Sequence, residues 1–223
     1  MQRVSTKGWI DVTQTNTKKK IIDAAIMLFN TKGYDGTTVR EIAKEANVNA
    51  ANISYYFSGK QGLLEYVVTN FLEEYIRILE SAFTQDGLSP KEMLLVIVRQ
   101  ILHYQSNHRQ LTRFFYREIS LDSVLIREIM TTYLVREKYY FQTIIHKGIQ
   151  QGEFQKVSFP VFMVQLKGML QSPYLHAQYI AEVLYAFPAE PYFADRYAKE
   201  VESWLAHALY KPLIVPMPAA AQF

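Results

Sequence analysis

Eight consecutive residues, NAANISYY from Asn49 to Tyr56, hold the side chains with the clearest chemical use in this chain. An asparagine amide donates and accepts at once, which suits an adenine edge in the major groove. Alanine lets a helix lie close to a groove floor, and a tyrosine reaches phosphate oxygens or a thymine methyl. This chemistry is recognition of nucleic acid. The same residues also suit a plain structural use, with Asn49 as a helix cap and the tyrosines as core filling.

The neighbouring segments favour recognition. Ile53 and Phe57 are four apart and share a face with Val48, which leaves Asn49, Ala50, Asn52, Ser54 and Tyr55 off that face. Ahead of them, Thr38 and Glu41 stand at capping-box spacing and predict a second helix over 38–46. Asn47 tolerates the left-handed turn that would join the two. A first helix is predicted over 17–32, where Ile21, Ile22, Ala25, Leu28 and Phe29 form one stripe and Gly33 supplies the stop. Lys60 follows Gly59 at the start of a fourth helix, where free amides and the helix dipole favour an anion.

Charge agrees. Residues 1–60 carry nine Lys/Arg against five Asp/Glu, while the rest of the chain carries fifteen against sixteen, so the positive excess lies in the recognition segment. Catalysis and metal binding find no support. His103, His108, His146, His176 and His207 make no pair at metal-ligand spacing, there is no cysteine, and no glycine-rich phosphate loop occurs. We expect no enzyme, no cofactor and no metal. The N-terminus has no apolar leader and no run long enough to span a membrane, so a cytoplasmic, nucleoid-associated protein is expected.

From Ile22 to Leu64, with GYDGTTVREIA and NISYYFSGKQGLL in order, the chain resembles the DNA-binding domain of the TetR family. It departs at Asn47, where the family usually has glycine, and near Ala50, where a lysine or arginine is usual. The resemblance implies an all-α fold: an N-terminal three-helix helix-turn-helix domain at 17–60 and a larger helical dimerisation body at 61–210, with tails at 1–16 and 211–223. It also implies that Thr38, Arg40, Tyr55, Tyr56 and Lys60 hold phosphates and that Asn49, Ala50, Ala51 and Tyr55 face bases, with Asn52 on the same surface. The partner implied is double-stranded DNA with inverted repeats.

Beyond Lys60 the apolar spacing predicts one long helix to about Phe83, roughly 36 Å at 1.5 Å per residue. Further helices are predicted over 89–105, 108–118, 121–151, 158–171, 174–186 and 191–209, divided by Ser89-Pro90, Gly152, Pro160, Pro173 and Pro188. The patterns at Phe159–Leu170 and Tyr192–Leu209 are apolar on more than one face, which predicts a homodimer, with Leu166 and Leu205 as interface residues. Arg109, Arg113 and Arg117 recur every four residues. They would form either a docking face for an acidic protein or a row paired internally with Glu118 and Asp122.

The body segments LIREIM, QLKGML, SPYL, QYIAEVLY and EPYF resemble TetR-type cell-division regulators of spore-forming bacteria. That resemblance implies binding to palindromic chromosomal sites and restraint of the tubulin-like division protein FtsZ. The alternative is a small-molecule-responsive repressor of a nearby operon, with an effector pocket among the aromatic residues of 139–187.

Overall fold

In a computed structural model, which describes residues 7–118 and 124–211, the chain is built from helices, with no strand among the described residues. They are α1 (Lys7–Lys32), α2 (Val39–Glu45), α3 (Ala50–Phe57), α4 (Lys60–Thr84), α5 (Pro90–Asn107), α6 (Arg109–Glu118), α7 (Val124–Gln150), α8 (Phe159–Leu175), α9 (Ala177–Glu182) and α10 (Pro191–Ala208). None is long and apolar enough to cross a membrane.

Local chemistry sets most of these boundaries. Thr38 caps α2 by accepting from the Glu41 amide at 3.2 Å, and the Glu41 carboxylate accepts from the Thr38 amide at 2.8 Å. Ser89 and Glu92 repeat the device on α5, with Pro90 in its first turn. Gly33 at φ +79° ends α1, and Asn47 at φ +52° makes the turn between α2 and α3, the left-handed conformation expected of it.

Several expectations change. The first helix reaches back to Lys7, so residues 7–16 are helical where a tail was expected; residues 1–6 and 212–223 lie outside the described ones. Pro173 does not end α8, which runs on to Leu175. A proline removes the bond its amide would have made to the carbonyl four residues back. The freed carbonyl of Met169 instead accepts from the Tyr197 hydroxyl of α10 at 2.8 Å, so a neighbouring helix satisfies what the proline left open.

Buried apolar residues fall into two clusters. In the first, Ile21, Ala25 and Phe29 of α1 meet Ile42, Ile53 and Phe57 of α2 and α3, the first half of α4, and Phe114, Phe115 and Tyr116 of α6. In the second, the later half of α4 packs with α5, α7, α8 and α10. The expected boundary at residue 60 is therefore not a break in the core. Phe29 stacks on Phe114 at 5.2 Å and Phe71 on Phe115 at 4.2 Å, which carries the first cluster across it.

Leu166 and Leu205 belong to the second cluster and have no exposed surface, so neither can meet a second copy. At about 100° per residue, the outward face of α8 lies opposite Leu166. It carries Val161, Val164, Gly168 and Leu175, and Val164 is 72% exposed. Periodicity shows an apolar stripe but not which of two stripes faces the protomer's own core.

Gly148 marks the tightest point of the second cluster. A Cβ there would stand 2.2 Å from the fully buried Phe154 ring, which itself stacks on Tyr210 at 5.6 Å. Gly148→Ala should cost about 1–3 kcal/mol by overpacking. Urea unfolding would show it as a lower midpoint at unchanged slope.

Candidate DNA-binding site

α3 is an amphipathic helix of two turns. Ile53 and Phe57 are buried beneath it, while Ala51, Ser54 and Tyr55 are exposed on top; Tyr55 is 75% exposed. The Tyr55 ring meets the Tyr56 ring edge-on at 5.0 Å, and half-buried Tyr56 lies 6.2 Å from Phe57. The aromatic run therefore grades from core to surface. Phe57 fills the core, Tyr56 supports its neighbour, and Tyr55 projects into solvent.

Asn49 is the N-cap of α3. Its Oδ1 accepts from the Ala51 amide at 2.8 Å, which uses the acceptor and leaves the amide nitrogen to donate. Ala50 and Asn52 are half-buried, so the exposed top of α3 is Asn49, Ala51, Ser54 and Tyr55. The side chains of Arg40 and Lys44 on α2 are exposed and make no ion pair or hydrogen bond among the described residues. Exposed cations on the helix that precedes α3 suit phosphate oxygens.

Two expected phosphate ligands have internal duties. The Thr38 hydroxyl lies 2.8 Å from Glu41 Oε2 and accepts from the Glu41 amide, so it is committed to the cap. Lys60 Nζ donates to the carbonyls of Tyr34 at 2.9 Å and Thr37 at 3.0 Å, and it sits 4.2 Å from the centre of the Tyr34 ring. An ammonium has three donors, so one remains for an anion. Lys60 is first a strut that ties the start of α4 to the α1–α2 loop.

That loop is a support not expected from the sequence. Thr37 is buried and donates to the Gly33 carbonyl at 2.8 Å, while Tyr34 packs on Phe29 at 5.4 Å and presents its ring to Lys60. The signal available was the run GYDGTT, in which a threonine follows a turn but precedes the capping threonine. Of the basic run at 18–20, Lys18 lies 4.1 Å from the Tyr66 ring, and only Lys19 and Lys20 are exposed.

The arginine row does not form one face. Arg117 donates to the carbonyls of Asn30 at 3.1 Å and Phe29 at 3.4 Å, at the end of α1, where cations suit the helix dipole. Arg109 donates to the carbonyl of Ala189. Arg113 is exposed and turns towards a cavity shared with Arg109. Burial raises the pKa of Glu118 and the Arg117 charge opposes that rise; Asp122 lies outside the described residues.

A short, small-residue helix held across a capped helix and a tight turn, on an otherwise helical body, defines a helix-turn-helix DNA-binding regulator. Residues 21–67 match the family described as "Bacterial regulatory proteins, tetR family". The chain is 55% identical over 193 residues to the "Probable HTH-type transcriptional regulator YttP" of Bacillus subtilis strain 168, covering 86% of this chain and 93% of that one. It is 30% identical over 178 residues to the regulator YvkB of the same strain, covering 78% and 89%. Among solved structures it resembles the ketosteroid transcriptional regulator KstR2 of Mycobacterium tuberculosis, with TM-score 0.72, 14% identity and coverage of 87% and 95%. It also resembles the regulator PfmR of Thermus thermophilus, with TM-score 0.69, 21% identity and coverage of 86% and 99%. The chain belongs to the tetR family of DNA-binding transcriptional regulators.

The capping carboxylate gives the site a pH dependence. The hydrogen bond from Lys32, at 2.7 Å, and those from Thr38 hold the Glu41 pKa at about 2, below its ordinary value of 4.5. A depressed folded-state pKa means that the stabilisation is full above about pH 4.5 and is lost as pH falls towards 2. Glu41→Gln should therefore melt below the parent at pH 6, and the gap should close by about pH 2–3. A gap that persists at low pH would mean that the carboxylate charge is not what holds the cap.

Tyr55→Ala and Lys60→Met separate surface from strut. The first should weaken every DNA complex at an unchanged salt slope, because a tyrosine releases no counterion, and without changing the melting temperature. The second should lower DNA affinity, the salt slope by about one unit and the melting temperature, because it removes a cation and also releases two carbonyls. Binding titrations at several salt concentrations, beside melting curves, read both outcomes.

Proposed function

We propose that the chain works as a homodimer on inverted-repeat DNA, with one α3 in each of two successive major grooves, and that a protein so placed restrains assembly of FtsZ. The observation that supports the DNA part is the exposed top of α3, where Tyr55 projects, with Arg40 and Lys44 exposed on the preceding helix and unpaired among the described residues. A two-fold dimer requires half-sites related by the same symmetry, about one helical turn apart or a multiple of it. The outward stripe of α8 supports the dimer. Val161 is 57% and Val164 72% exposed, and Gly168 has open space where a side chain would stand, so a second helix could approach closely.

The division role is supported by the resemblance of the body segments to the regulator RefZ. It no longer draws on a continuous arginine face, because Arg109 and Arg117 are engaged within the chain. Control of a promoter by a small molecule is the second reading. The observation in its favour is the cavity between α6, α8 and α9 that Arg109 and Arg113 line.

Val164→Glu should give monomers that melt like the parent yet bind inverted repeats at least about tenfold more weakly, because each protomer then binds without its partner. Leu205→Ala, which empties a core position, should instead cost about 2–5 kcal/mol of stability. Sedimentation and melting distinguish the two. The division reading is tested by pelleting purified FtsZ with the protein and its DNA. Less polymer is expected with the complex than with DNA alone, and unchanged polymer would leave promoter control as the function.

A further inference from the structure

The cavity of about 440 Å³ beside α6 has two kinds of wall. One wall is Arg109 and Arg113, four residues apart and so on one face of the helix. The others are Tyr174 at the end of α8, Ala177 and Ala181 of α9, and Phe187 in the loop before α10. Among the described residues no carboxylate lines the cavity, and neither guanidinium has an acidic partner. Among the described residues the Arg109 side chain gives one hydrogen bond, to the Ala189 carbonyl, and the Arg113 side chain gives none. Two cations one turn apart, facing mainly apolar walls with only Gln110 and Gln178 as other polar side chains and without a counter-charge among the described residues, form an incomplete electrostatic arrangement.

An anion would complete it. A planar guanidinium fork pairs best with a carboxylate or phosphate, and the contact strengthens where apolar walls exclude water. The walls decide the rest of the ligand. A multiply charged, fully hydrophilic anion would leave Tyr174, Ala177, Ala181 and Phe187 without apolar partners, whereas a hydrocarbon body would cover them. The volume falls within the range of sites that enclose small organic molecules.

We propose that this cavity binds an organic monocarboxylate, its carboxylate held by Arg113 and Arg109 and its hydrocarbon body of about eight to twelve carbons lying against Tyr174, Ala177, Ala181 and Phe187. The proposal gives the row of arginines a division of labour. Arg117 fastens α6 to α1, while Arg113, with Arg109, receives the ligand.

Calorimetric titration of the full chain with octanoate, 1-octanol and inorganic phosphate tests this without DNA, so its failure leaves the DNA-binding reading untouched. Octanoate is expected to bind saturably, once per chain, and at least about tenfold more tightly than either octanol or phosphate, each of which supplies one half of the match. Arg113→Gln should weaken octanoate by about tenfold or more while melting and DNA binding stay as in the parent. Ala177→Phe, which fills the apolar end and leaves both arginines, should abolish binding. No saturable octanoate binding, equal affinity for octanol, or unchanged affinity in both variants would each overturn the proposal.

Discussion

The aromatic contacts between α6 and its neighbours are the constraint on which the rest of the chain depends. Phe114 stacks on Phe29 of α1 and Phe115 on Phe71 of α4, and all four rings are buried. Such pairs add about 0.5–1.5 kcal/mol each beyond the area they bury. Their larger effect is geometric. Adjacent residues on one short helix grip the DNA-reading helices on one side and the long α4 on the other, so the first core cluster closes over both.

Polar contacts follow the same seam. Arg117 bonds to the last carbonyls of α1, and Asn30 of α1 donates to the Gln110 carbonyl of α6 at 2.8 Å. Further down, Glu137 of α7 is buried, accepts from the Tyr75 hydroxyl at 2.7 Å and pairs with Lys167 of α8 at 2.7 Å. Burial, with the Glu137 charge beside it, holds the Tyr75 phenol well above its ordinary pKa, so it stays a donor. A buried carboxylate with an ammonium and a phenol is a satisfied network, and it fixes the register of α4, α7 and α8. Replacing Lys167 alone would leave the buried Glu137 charge uncompensated.

The recognition surface gains its shape from what lies behind it. Tyr55 can project because Tyr56 and Phe57 beneath it are held by Tyr66 and the α4 core, with the Phe57 and Tyr66 rings 5.3 Å apart. Lys60 closes the loop between α1 and α2 from below and orients the start of α4. The division between residues that touch a partner and residues that hold them therefore cuts across the basic side chains: Arg40 and Lys44 are outward, while Lys18 and Lys60 serve the interior.

Local patterns in the sequence determined the helices, their caps and the αL turn at Asn47, because capping boxes, glycine stops and apolar spacing act within a few residues. They also determined that α3 would bury Ile53 and Phe57 and turn Tyr55 outward, since two positions four apart define a face. What only the tertiary structure decided depends on packing between distant segments. Leu166 and Val164 both sit on apolar stripes, and only the position of α10 shows that the first is core and the second surface. Lys60 and Arg117 are ordinary cations in sequence, and each becomes a strut because carbonyls freed at the end of α1 or just beyond it lie within reach. Pro173 signals a break, yet the helix continues because Tyr197 supplies the missing donor from another helix. A side chain's partners across the fold are set by which helices meet, and that is a property of the assembled core rather than of any local run.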